Sequence, residues 1–366
     1  QVLVPGAQPD NGLPTGTPSA QSSPEGPPQF SGAYAGPSFR SMVDEALYRE
    51  IAAEAEAQGQ AAPVDIGPQN YGQDQLNSPY HYNDYRQFPR PTFYPERAVG
   101  RLFFQKPDGA WYTCTATLIE RNILLTAGHC VYDGDPFNDG TWNEGPGGWN
   151  LAGYFVPSYS DGDNGNHRFG RCDVTRWSTT SGWYNNGELN RAYDIGLAVC
   201  GNLFDARIRR FNGDRPGAAL GYLSFCLTNC RQSYWFLSQF GYPGNYYDGG
   251  EMTVSQHIEI AGQANPVTGS TTGRDYLYGT GMRGGSSGGP HISNVGAIDD
   301  SASAGQWPMR NVIFAVTSWG YVSDVWKIQG ASPLSGYNND INMMQMFNQI
   351  CRVARRTLGS RSCSLL

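Results

Sequence analysis

Between Ala98 and Trp319 the apolar residues come in short runs, each soon stopped by Gly, Asn, Asp or Pro. With 47 Gly and 24 Pro among 366 residues, a chain of this kind cannot sustain long amphipathic helices, and the pattern is that of an all-β protein. The runs Ala98 to Phe104, Trp111 to Ile119 and Ile123 to Thr126 read as successive strands. They are joined by turns at Pro107-Asp108-Gly109 and Glu120-Arg121-Asn122. Further strands follow Asp194 and occupy Tyr234 to Phe240, Met252 to Ile260 and Val312 to Trp319. From Tyr132 to Asn190 the chain is rich in Gly, Asn, Asp, Trp and Tyr, and elaborated surface loops are expected there. Helical spacing returns only at Ile341 to Leu358, through Ile341, Met344, Phe347, Ile350, Val353 and Leu358.

The N-terminal part differs. Residues 1 to 40 are rich in Pro and Gly, a composition without a fixed fold. A helix is expected from Ser41 to about Gln58, with Asp44 and Glu45 in its first turn and Val43, Leu47, Ile51 and Ala55 on one face. A second irregular tract runs from Ala61 to Pro95, so residues 1–95 read as a leader, taken as a propeptide rather than a mere tether. The remaining bounds are 96–205 and 206–340 for two β units, with a polar crossing at Asn202 to Gly217, and 341–366 for a C-terminal helix and tail.

Composition excludes some partners. A net charge of −7 and no basic stripe argue against nucleic acid. No apolar run approaches the ~20 residues that cross a bilayer. Eight cysteines, an even number, suit a disulfide framework and hence an extracellular compartment, which would entail a signal peptide since removed.

Three stretches carry chemistry. In Gly284-Gly285-Ser286-Ser287-Gly288-Gly289-Pro290, two serines sit between residues that let a hydroxyl stand on a tight turn with free backbone N–H groups. Taken alone, it could equally be a flexible connector. Thr126-Ala127-Gly128-His129-Cys130 delivers a histidine at the end of the run Ile123-Leu124-Leu125, and Asp194 heads the apolar strand Ile195 to Val199. In this order, His129, Asp194 and Ser287, the chain resembles the chymotrypsin-like serine peptidases over about Pro95 to the C-terminus. Gly241-Tyr242-Pro243-Gly244 places it nearest the bacterial glutamyl-endopeptidase-like branch.

The resemblance implies two packed six-stranded antiparallel β-barrels and a C-terminal helix, acting as a monomer on proteins or peptides with neither metal nor organic cofactor. Ser287 would be the nucleophile, His129 the base and Asp194 its orienting partner, with the N–H groups of Gly285 and Ser287 receiving the oxyanion. Ser318-Trp319-Gly320 would bind substrate backbone. Ser286 stands where the family has aspartate, so an ion pair to a processed N-terminus is not expected. Gly281 at the pocket floor disfavours cleavage after Arg or Lys. Met282 and Trp319 would make the pocket largely apolar, Arg283 would attract an acidic group if turned inward, and Thr317 stands where glutamate-cleaving members carry histidine. Family practice pairs Cys114 with Cys130. Cys172 with Cys200, Cys226 with Cys230 and Cys351 with Cys363 are the expected remaining pairs, although sequence alone does not fix connectivity. His81, His167, His257 and His291 lack metal-site spacing and read as surface or packing residues, with His291 also a candidate to line the cleft. Asp133, Asp135, Asp139 and Glu144 miss the calcium-loop pattern at Phe137 and Asn138 and read as solvated. Two readings compete with the peptidase: a silent homologue that binds a partner, and a zymogen blocked by its leader.

Overall fold

The computed structural model describes residues 29–30, 82–84, 94–134, 147–160, 168–204, 211–228, 234–263, 275–293, 295, 311–320, 328–335 and 343–366. The expected leader helix lies outside them, as do His81, His167, Cys230 and the acidic loop from Asp135. Two short strands come first, β1 (Gln29–Phe30) and β2 (Tyr82–Asp84).

The first barrel begins with β3 (Val99–Gln105), β4 (Trp111–Glu120) and β5 (Ile123–Thr126), close to the expected runs. Alternation along β3 turns Leu102 and Phe104 inward. A small hairpin of β6 (Tyr132–Asp133) and β7 (Gly148–Trp149) follows. Then come β8 (Ala152–Pro157), β9 (Cys172–Thr179) and β10 (Gly196–Cys200). The six long strands close in the order β10-β5-β4-β3-β8-β9, which leaves no free edge. β8 and β9 correct the reading of 132–190 as surface loops alone. Their flanks are so rich in turn-forming residues that two essential staves were hidden, and β9 alternates only weakly because much of it is half-exposed.

After the short helices α1 (Ser181–Asn186) and α2 (Pro216–Leu220), the second unit comprises β11 (Ser224–Thr228), β12 (Tyr234–Gly241), β13 (Thr253–Gln263), β14 (Asp275–Gly279), β15 (Pro290–Ser293), β16 (Val312–Gly320) and β17 (Ile328–Pro333). Antiparallel pairings link β12-β13-β14-β17-β16-β15 and return to β12, a second six-stranded ring. Three strands are added to it. β11 runs parallel to β16, β1 pairs with β11, and β2 pairs with β13 at Thr253 to Ser255, so residues 29–30 and 82–84, within the expected leader, are hydrogen-bonded into the second sheet.

The C-terminal helix α3 (Met343–Leu358) packs on β10, which is why β10 is buried along its whole length and reads as an unbroken apolar run. Its inner face is Met343, Met346, Phe347, Ile350, Cys351 and Ala354. Met344, expected inside, is 36% exposed. The helix begins at Met343, and Met343, Phe347, Ile350 and Ala354 then fall on one stripe at the 3.6-residue period. Disulfides join Cys114 to Cys130, Cys172 to Cys200 and Cys351 to Cys363 as expected. Cys226 is also disulfide-bonded, its expected partner lying outside the described residues. No helix among the described residues is long and apolar enough to cross a membrane.

Candidate active site

His129 sits in a 3-10 turn, Gly128–Cys130, directly after β5, and the disulfide from Cys130 to Cys114 ties that turn to β4. Gly128 must be glycine, because a Cβ there would lie 2.8 Å from the Trp183 ring and 2.9 Å from Asp194 Oδ1. Asp194 is 1% exposed. Its Oδ1 accepts the His129 backbone N–H at 2.7 Å, while Oδ2 faces His129 Nδ1 at 2.7 Å and accepts the Ser318 hydroxyl at 2.6 Å. A buried carboxylate is thereby satisfied by three donors. Its demand for a proton donor places the imidazole proton on Nδ1 and leaves Nε2 free to accept.

The loop between β14 and β15 separates its two serines. Ser286 is buried and donates its hydroxyl to Arg283 O at 2.7 Å. Ser287 is half-buried and lines one cleft with His129, Asp194, Trp183, Ser318 and Gly320. The N–H groups of Ser286, Gly288 and Gly289 are taken by Arg283 O, Thr317 O and Ser286 O, whereas those of Gly285 and Ser287 have no partner among the described residues. Gly285 has φ +96°, and any Cβ on it would collide with Tyr242 O.

Thr115, unremarked in the sequence, holds this loop from the other barrel. Its N–H donates to Ser287 O at 2.8 Å, its hydroxyl donates to Gly285 O at 2.9 Å, and the same oxygen accepts the Tyr242 N–H at 3.0 Å. No local signal could have found it, since the partners are 170 positions apart for Gly285 and 127 for Tyr242. Thr115→Val keeps the shape and strands two buried polar groups, so stability should fall by about 1–3 kcal/mol. Denaturant unfolding measures this, and an unchanged midpoint would remove the clamp from the account.

Of the segments expected to bind substrate, Ser318, Trp319 and Gly320 line the cleft with Ser287, while Gly281, Met282 and Arg283 lie in the loop that leads to it. Met282 is 2% exposed, and Asn245 Nδ2 donates to Gly281 O at 2.9 Å. Arg283 is half-buried. Between this segment and Gly320 lies Gln329, whose Nε2 donates to Met282 O and whose Oε1 accepts from Tyr278 Oη at 2.9 Å and Gln239 Nε2 at 3.1 Å. Thr317 is buried behind it and accepts Gln239 Nε2 at 2.9 Å.

The other face of Thr317 meets a cluster that sequence spacing did not suggest. His291 Nε2 lies 2.9 Å from Thr317 Oγ1, and His291 Nδ1 and His257 Nε2 both reach Glu259 Oε1, the latter at 2.7 Å. His291 is therefore packed inside the second ring and does not line the cleft. The hidden signal was the i, i+2 placement of His257 and Glu259 on one face of β13. These three side chains are a donor set of the type that binds zinc. Ligands on one zinc with ~2.0–2.1 Å bonds stand roughly 3.3 Å apart, farther than the 2.7 Å separation, which is that of a hydrogen bond. Burial pushes the His257 imidazole down; burial also pushes the Glu259 carboxyl up, but the two imidazoles outweigh it and hold that carboxyl at about 2. Cys114, His129 and Cys130, also close together, are accounted for by the disulfide.

Trp319 donates its indole N–H to Asp275 Oδ2 at 2.7 Å, with Arg191 5.7 Å from its ring centre. Burial raises the Asp275 carboxyl to about 7, against the lowering effects of Trp319 and Arg191. The folded state thus holds this proton more tightly than the unfolded chain, whose value is near 3.8. The associated stability is complete below pH ~4 and is lost as pH rises through about 7, on the order of 4 kcal/mol in all. Asp275→Asn should flatten stability between pH 4 and 8. Parallel wild-type and variant curves would contradict this assignment.

The fold is chymotrypsin-like, two six-stranded rings with the cleft at their seam and a C-terminal helix. A crystal structure of the protease Anisep from Arthrobacter nicotinovorans is similar at a TM-score of 0.50 with 23% identity, covering 70% of this chain and 95% of that one. A Glu endopeptidase in complex with MPD matches at a TM-score of 0.46 with 18% identity, over 74% and 95% of the two chains. In sequence, an extracellular metalloprotease of Bacillus subtilis (strain 168) is 29% identical over 140 residues, 38% of this chain. That match spans 36% of the relative's own length. No protein-family model matches the chain.

Proposed function

We propose that the chain is a serine endopeptidase, acting on proteins or peptides through an acyl-enzyme formed on Ser287. The observation that carries this is a cleft shared by Ser287 and His129, with the His129 ring held at Nδ1 by a buried and fully satisfied Asp194. In this reading Ser287 Oγ attacks the carbonyl, and His129 Nε2 takes the proton and returns it to the leaving amine. Asp194 stabilises the charged imidazole. The unpartnered N–H groups of Gly285 and Ser287 receive the oxyanion, an interaction whose loss costs about 3 kcal/mol at each donor. Ser318 both bonds Asp194 and begins the strand end that would pair with substrate backbone. The disulfides, together with the similarity to an extracellular protein of Bacillus subtilis, support an extracellular setting.

Activation by an ion pair to a new N-terminus has no place for its anion, because Ser286 is buried and already bonded to Arg283 O. Latency, if present, would reside in the leader. The name of the Bacillus subtilis relative raises a metal-dependent reading. The donor cluster nearest in character, His257, Glu259 and His291, is sealed inside the second ring beyond a substrate's reach.

A fluorophosphonate probe followed by peptide mapping tests the proposal. Stoichiometric labelling of Ser287, with hydrolysis insensitive to chelators, is expected. Labelling only after removal of the leader would mark a zymogen, and no labelling of either form would mark a silent homologue.

A further inference from the structure

The segments Gly281 to Arg283 and Ser318 to Gly320 flank the position that the side chain on the acyl side of a scissile bond would enter. Gln329 crosses the space between them. It pairs with Gly320 in the register of β16 and β17, and its Cγ lies 3.0 Å from where a Gly320 Cβ would be. From there its amide reaches the opposite segment and donates to Met282 O.

This side chain is locked. It is 6% exposed, and its oxygen accepts from both Tyr278 Oη and Gln239 Nε2. Gln239 in turn bonds Thr317 Oγ1, which meets His291 on its other side, and His291 is bound to Glu259. Swinging Gln329 aside would leave Met282 O and Tyr278 Oη buried with a lost partner, so a bulky substrate group cannot displace it cheaply. The buried cluster of His257, Glu259 and His291 is thus the far end of a polar network whose near end bridges Gly320 and Met282.

We propose that Gln329 is a specificity-determining residue, a crossbar that closes the primary pocket and limits the residue before the cleaved bond to Gly, Ala or Ser. The proposal rests on the serine peptidase reading and names the substrate class for that site. It differs from the largely apolar pocket that Met282 and Trp319 were expected to make.

The test uses the full chain, wild type and Gln329→Ala, each normalised by fluorophosphonate titration, on a peptide series varied only at the residue before the cut. The wild type should cleave after Ala at least ~10-fold faster in kcat/KM than after Leu, Phe, Glu or Arg. Gln329→Ala should raise the Leu-to-Ala and Phe-to-Ala ratios by about 10–200-fold, the range one pocket constriction controls. A wild type that cleaves after large residues as readily as after Ala overturns the crossbar, and does so even if the variant fails to fold. An active variant with unchanged ratios overturns it as well. Failure of every form to incorporate the probe, both as the full chain and after removal of the leader, instead removes the peptidase reading, and the crossbar with it.

Discussion

Ser287→Ala should lower kcat/KM for peptide hydrolysis by about 10⁶-fold, to the residual level that oxyanion binding and substrate positioning maintain without a nucleophile. The fold should be untouched, since the Ser287 side chain has no hydrogen-bond partner among the described residues and only its carbonyl is engaged, by Thr115 N. Ser286→Ala is the informative contrast. Its hydroxyl bonds Arg283 O inside the loop, so its loss should cost about 1 kcal/mol of stability while turnover stays within roughly tenfold of wild type. Parallel assays of the two variants, with circular dichroism as a check on folding, decide the matter. If Ser286→Ala were the inactive protein, the nucleophile would be assigned to the wrong serine.

Asp194→Asn should cost about 10⁴-fold in kcat at neutral pH, with little change in shape. The carboxylate accepts from three donors, and an amide in its place turns an acceptor into a donor facing His129 N, His129 Nδ1 or Ser318 Oγ. The relaxed arrangement moves the ring proton to Nε2, where it opposes deprotonation of Ser287. A readout beyond rate separates this from simple damage: the Nδ1–H signal of His129 in proton NMR should vanish in the variant. Wild-type turnover by Asp194→Asn would show that Asp194 does not orient the imidazole.

Much of this architecture was legible because it depends on local rules. Strands β3, β4, β5, β12 and β16 announce themselves as short apolar runs between turn residues, and α3 by its periodicity. His129, Asp194 and Ser287 are legible for a related reason. Each occupies a backbone setting that chemistry demands, a glycine before the histidine, a strand head for the aspartate, paired glycines around the serine, and those demands are written in adjacent residues.

The chain by itself therefore pointed to its class of fold and to the three residues on which the proposed chemistry rests, while the three described disulfide pairs, expected from the resemblance, were fixed only by the tertiary structure. Ring closure decided the rest. Thr115, Gln329 and the cluster of His257, Glu259 and His291 gain their positions only when β4 meets the loop of Ser286 and Ser287 and when β13, β15, β16 and β17 become walls of one barrel. Even β8 and β9, hidden among turn-forming residues, are strands because β3 and β10 offer edges that must be paired. A hydrogen bond across 170 residues leaves no trace in either neighbourhood, since the energy that selects each partner exists only after the loops between them have closed.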